Sequence, residues 1–410
     1  MKTTNNNNRL SSNGLSPASR TSKIRRIAPA LIVTMKRSIT CMAIACSAFL
    51  PVFSQPALAQ IIGGTGWTAK AAWGPAITPS SGSSGAPAFV AWNSSNTIMY
   101  SVGFGAVWSE QASTGLTSTL GPAAATASAA NTVYVAARGT ASTDNIYYVS
   151  WDGSSFSSVN EVCEGTLCPT TISSPALATV PAGTPTTVLF AAWTTSSSSN
   201  NIEYGYCKTP CSTGAWIIVG TLNLPSSMRP HTTSKPALAW YGSYLFLAWV
   251  QDGQVYYTHN TSTLGGNTWE EIRVVLPAPG AQTTVAPALG VSTVPSVPDK
   301  GLFVAWTAST GTGYTVDFAR WAGSEEWAAS AYTLSPPGPV AILSPALAGL
   351  LYSYLPGTDP PAVCPRDPNS FNVIYTMEGS DEGEIGFSTL SSYCRSRGAG
   401  PVETSGGRAQ

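Results

Sequence analysis

The sequence predicts an all-β fold made of six repeated four-stranded sheets set in a ring. Three observations carry the prediction. The 410 residues include 38 Gly and 31 Pro, with only 10% charged, a composition of short strands and tight turns. No long stretch of the later sequence shows helical periodicity, while apolar runs of strand length recur. Pro-Ala stands at Pro87, Pro122, Pro175, Pro236, Pro287 and Pro345, at intervals near about 50 residues, the range of propeller blades.

Each Pro-Ala opens the expected innermost strand, A. Proline sets the entry from the loop, and small Ala lets six strands crowd around one axis. Strand B is an apolar run ending in Ala-Trp. It reads Phe89 to Trp92, Phe190 to Trp193, Phe246 to Trp249 and Phe303 to Trp306, with Val133 to Ala137 and Val373 to Tyr375 in the other two units. Near-continuous apolar runs mark strands buried on both faces. Strand C carries an apolar-x-aromatic pair: Ile98/Tyr100, Ile146/Tyr148, Ile202/Tyr204, Val255/Tyr257, Val316/Phe318 and Ile385/Phe387.

Strand D opens on Trp108, Phe156, Trp216, Trp269 or Trp327, five aromatics for six units. The missing one is expected from Thr65-Gly66-Trp67-Thr68, which lines up with Asn267-Thr268-Trp269-Glu270. The N-terminal segment would then supply the last strand of blade six. Such a ring is a six-bladed β-propeller over 60–396, closed by an N-terminal strand that removes exposed sheet edges. A β-sandwich accounts for strands but not for six units.

Upstream, Met35-Lys36-Arg37, the apolar stretch Ile39 to Phe53 and the ending Ala57-Leu58-Ala59 read as a signal peptide over 35–59, cleaved after Ala59. The apolar run is short and interrupted, so no membrane span is expected after cleavage. Residues 1–34 read as a disordered extension or an early start codon, and 397–410 as a flexible tail. Residues 1–59 hold eight Lys+Arg and no acidic residue, leaving a mature net charge of about −8. That balance argues against a nucleic-acid partner.

Six cysteines remain, an even number that reads as disulfides in an exported chain. Cys163–Cys168 and Cys207–Cys211 are local staples by spacing, and Cys364 with Cys394 is the pair left over. His231 and His259 stand at no ligand spacing from a cysteine pair, so neither a metal nor another cofactor is expected.

The Pro-Ala-Leu-Ala, Ala-Trp and apolar-x-aromatic signals, with Ser150-Trp151-Asp152-Gly153-Ser154-Ser155-Phe156, resemble the repeat of secreted bacterial sialidase-like propellers. The last element is close to the Asp-box of that family. The resemblance covers nearly all of the mature chain and implies a glycan or another surface ligand as partner. If the protein is an enzyme, it implies a sialidase-like glycoside hydrolase. The family holds a substrate carboxylate with three arginines and uses a Tyr nucleophile, a Glu and an Asp acid/base. Here no Arg-Ile-Pro motif exists. By the strand map only Arg138 and Arg229 reach the face of the B–C and D–A loops, whereas Arg320 and Arg366 lie opposite and Arg273 lies in an outer strand.

The catalytic residues therefore stay unassigned. The candidates for ligand binding are loop residues outside the repeat: Arg138, Asp144, Arg229, His231 and Asp252. Trp92, Trp193, Trp249 and Trp306 are candidates for stacking on sugar rings, although their regular recurrence favours packing between blades. Asp152 has a turn-forming role. A monomer is expected.

Overall fold

The computed structural model describes residues 60–64, 67–79, 88–104, 107–127, 131–140, 143–181, 187–196, 199–224, 229–260, 268–276, 280–291, 301–323, 326–328, 332–334, 340, 343–349, 371–376 and 383–390. Every regular element among them is a β-strand. Among the described residues the strands form six antiparallel sheets of four or five strands, each in the order A-B-C-D, and one separate two-stranded hairpin. The inner strands are Ala76–Pro79, Ala123–Ala127, Ala176–Pro181, Ala237–Tyr241, Ala288–Val291 and Ala346–Gly349. Each touches the next, and the sixth touches the first, so the ring is closed. The protein is a six-bladed β-propeller.

Six Pro-Ala pairs do open the six inner strands, but the first is Pro75-Ala76, not Pro87-Ala88. Ala88 begins strand B of blade one, Ala88–Ser94, and Pro87 lies outside the described residues. The local sequence Gly-Ala-Pro-Ala imitates the repeat one strand too late. All six entry prolines are buried. Small residues beside them permit the crowding: a Cβ added to Gly74 would meet the Ser344 carbonyl oxygen at 2.6 Å, and one on Gly121 would strike that of Gly74.

The closure of blade six is as expected in kind. Gln60–Ile61 and Lys70–Ala71 both pair with strand C, Gly383–Leu390, from the outside. Trp67 itself pairs with Gly64 and not with strand C. Ile62 donates to the Ile385 carbonyl at 2.9 Å, Ala69 donates to Ile62 at 2.8 Å, and Ile385 donates to Ala69 at 3.0 Å. Ile62 and Ala69 thus bracket one residue of strand C. The chain between them leaves the strand as a hairpin, Gly63–Gly64 with Trp67–Thr68.

The core is divided among the seams between blades. One buried cluster joins blades four and five, around Trp306, Val255 and Tyr257. Others join blades two and three around Trp193, three and four around Trp249, and six and one around Trp92. Two more close the remaining seams, around Phe318 and Tyr375 and around Phe89 and Trp151. The apolar B strands sit between neighbouring blades on both faces, which is why Thr187–Thr194 is buried along its whole length.

Disulfides join Cys163 to Cys168 and Cys207 to Cys211. The first loop also docks on the second: Glu164 bridges Ala215, and Trp216 donates to the Cys163 carbonyl at 3.2 Å. Cys364 and Cys394 lie outside the described residues.

Candidate functional site at the channel mouth

The face of the B–C and D–A loops is built from strand ends, so its side chains inherit their positions from the blades. At its centre stand the six residues that precede the entry prolines: Gly74, Gly121, Ser174, Lys235, Ala286 and Ser344. Five are small. The sixth, Lys235, is partly buried, and its Nζ donates to the Pro122 carbonyl at 2.9 Å. Lys235 enters blade four and Pro122 enters blade two, so the side chain crosses the rim past blade three. Burial pushes its amine down to about 8.

Trp73 belongs to the same rim. It precedes Gly74, and a Cβ on Gly121 would lie 3.4 Å from its own Cβ. Its indole is 43% exposed. Gly121 in turn adjoins Pro122, which holds Lys235. An open aromatic surface and a partly dehydrated cation therefore meet the same stretch of backbone.

The residues singled out from the sequence have other surroundings. Trp92, Trp193, Trp249 and Trp306 are 0–1% exposed, each packed into a seam. Their rings offer no open face to a sugar, because strand B buries both its sides. Arg138 pairs with Asp144 across the B–C turn of blade two. Its Nε also donates to Asp144 at 3.1 Å and its Nη1 to the Ile172 carbonyl at 3.4 Å. That guanidinium is engaged by its own loop and by the D–A loop that follows blade two.

Arg229 and His231 are exposed on the D–A loop of blade three. His231 Nδ1 lies 3.4 Å from the Arg229 carbonyl oxygen, and its backbone N–H donates to Gln251 Oε1 at 3.2 Å. The same oxygen accepts from Trp249 Nε1 at 3.2 Å. Gln251 thus ties the histidine loop to a seam. Asp252 is exposed at φ 52°, followed by Gly253 at φ 76°. This pair is a hairpin turn, for which Asp-Gly is a favoured sequence. Asp152 accepts from the backbone N–H of Ser154 and of Ser155, each at 2.8 Å, within its Asp-box turn.

Two carboxyls on C strands are raised by burial. Glu203 lies opposite Trp193, whose indole opposes the rise, and Asp317 lies opposite Trp306. They flank different seams, two–three and four–five. Glu161, Cys163 and Cys168 come together, but the two sulfurs are bonded to each other and are no thiolate ligands.

The residues missed from the sequence are Lys235 and Trp73. The signal for Lys235 was present: it alone breaks the small-residue position before Pro-Ala. Trp73 was hidden by the misplacement of the first inner strand.

No known family profile matches the chain, and no curated protein matches it in sequence. Solved structures match the fold. A Dyadobacter fermentans protein of unknown function has a TM-score of 0.55 at 12% identity, over 83% of this chain and 99% of its own. A sialidase from Streptococcus pneumoniae has a TM-score of 0.54 at 9% identity, over 82% of this chain and 71% of its own. An α-L-arabinanase from Penicillium chrysogenum, complexed with arabinobiose, has a TM-score of 0.51 at 12% identity, over 82% and 98%. At these identities the likeness is one of fold, and the fold is a β-propeller.

Proposed function

We propose that this protein is an exported propeller that binds a glycan or another extracellular ligand at the channel mouth. The observation that carries the reading is Trp73, an indole left 43% exposed beside the ring of inner strands. A flat apolar face next to polar donors suits the C–H surface of a sugar. The position fits too, since binding residues concentrate on loops over a rigid scaffold. Two disulfides, and no helix among the described residues long and apolar enough to cross a membrane, fit an extracellular or periplasmic protein. Export would use residues 35–59, with cleavage after Ala59. A glycan array probed with the mature protein tests the reading: bound glycans support it, and silence across a broad array overturns its glycan form.

The second reading is a diverged sialidase-like glycoside hydrolase. Glu203 and Asp317 favour it to the extent that glycosidases need a carboxyl whose pKa is raised. Their placement along different seams weighs against them as partners across one bond. Turnover of a fluorogenic sialoside would put this reading first. A third role, as a protein-binding propeller at the cell surface, is supported if a pull-down recovers a stable protein partner.

A further inference from the structure

Lys235 is a cation with an unusual address. It is the one long side chain among six structurally equivalent positions around the channel mouth. Its ammonium has three donors, and the Pro122 carbonyl accepts one. The only ion pair among the described residues is Arg138–Asp144. The inner strands that surround Lys235 read Ala-Ile-Thr-Pro, Ala-Ala-Ala-Thr-Ala, Ala-Leu-Ala-Thr-Val-Pro, Ala-Leu-Ala-Trp-Tyr, Ala-Leu-Gly-Val and Ala-Leu-Ala-Gly, without a charge. The Tyr241 phenol, their one titratable group, ends its strand away from Lys235.

A neutral donor would bond the Pro122 carbonyl as well, without the cost of dehydrating a charge. Keeping an ammonium there is a loss for the fold alone. It becomes a gain when an anion arrives and takes the N–H groups that have no partner among the described residues. The contact is a point charge rather than a planar fork, so it suits one oxygen of either a planar or a tetrahedral anion.

We propose that Lys235 forms an anion site at the mouth of the central channel, taking a carboxylate or sulfate-ester oxygen of a ligand that enters along the axis. The site rests on the amine and goes beyond the stacking of a sugar on Trp73. Its lowered pKa means that a bound anion shows itself by raising that pKa again.

The test is competitive acetylation of the amines, read by mass spectrometry of the peptides from about pH 6 to 10. The exposed Lys70 and Lys208 serve as internal references. Sodium acetate, sodium sulfate, D-glucuronate and D-glucose are compared with chloride at equal ionic strength. The expected result is that an anion raises the Lys235 pKa by about half a unit and slows its labelling about threefold. Glucose and chloride leave it unchanged. Protection by acetate and glucuronate identifies a carboxylate site, and protection by sulfate a sulfate-ester site. Labelling of Lys235 that none of the three anions changes overturns the proposal.

Lys235→Met removes the charge and keeps the stem. It is expected to lose binding of acidic array glycans while retaining the thermal melt. Should the variant not fold, labelling of the natural protein still decides. An anion-insensitive Lys235 in a protein that binds neutral glycans sinks this inference and leaves the glycan reading standing. A protected Lys235 in a protein silent on the array does the reverse.

Discussion

At the residue scale, position separates the side chains that hold a loop from those left open at the proposed site. Arg138 and Asp144 are polar, lie on the right face, and are spent on each other. Arg138→Ala leaves Asp144, partly shielded at φ 50°, without its cation. It is expected to lower stability by about 1–2 kcal/mol in urea unfolding, as for a charged hydrogen bond that is half shielded. Loss of glycan binding without loss of stability would contradict that assignment. Asp152 offers a pH test. Its turn N–H groups, Ser155 first, hold the carboxyl at about 2, below its ordinary 3.8. A depressed pKa contributes stability above the ordinary value, which is lost as pH falls toward the folded one. Asp152→Asn should therefore flatten the acid-unfolding profile between these two values. The Asp-box role was legible in the sequence because an Asp in Ser-x-Asp-Gly bonds its own turn. Arg138 was less legible, because its partner is set by the conformation of a loop.

At the element scale, strand B does the packing and the disulfide loops stitch one seam. Trp306→Ala should cost about 3–5 kcal/mol in urea unfolding, the range for emptying a large buried ring. A cost below about 1 kcal/mol would mean that the ring is not the seam's filler. Reducing Cys163–Cys168 and Cys207–Cys211 opens loops of 5 and 4 residues' separation. Chain entropy assigns each about 2 kcal/mol. Hydrogen exchange should rise first near Glu164 and Ala215, where the two loops bridge. Strands A to C were legible because Pro-Ala, the apolar run and the apolar-x-aromatic pair recur from unit to unit. Two boundaries were not. Pro87-Ala88 reproduces the entry pair inside blade one, and Trp67 reproduces the aromatic of strand D inside a hairpin. A local motif cannot report its hydrogen-bond partner, and the partners decide both cases.

At the scale of the whole molecule, repetition and function pull apart. Whatever recurs in six blades is needed by six blades, so the Ala-Trp indoles became the seams. The candidate site lies in single departures from the pattern, Lys235 and Trp73, which carry no statistical weight in one sequence. Closure is also a property of the whole: Gln60–Ile61 and Lys70–Ala71 cover the outer edge of the last blade. Deleting residues 60–71 should expose that edge, lower the melting temperature and promote association of the protein. Unchanged melting would mean that blade six is complete without them.

The proposed ligand site is the channel mouth, where the repeat is broken, and not the repeated tryptophans. Glycan binding measured on the natural protein and on Trp73→Ala, side by side on one array, tests it most directly. The bound glycans are expected to disappear in Trp73→Ala while its melting curve is retained. Full binding by a folded Trp73→Ala protein would contradict it.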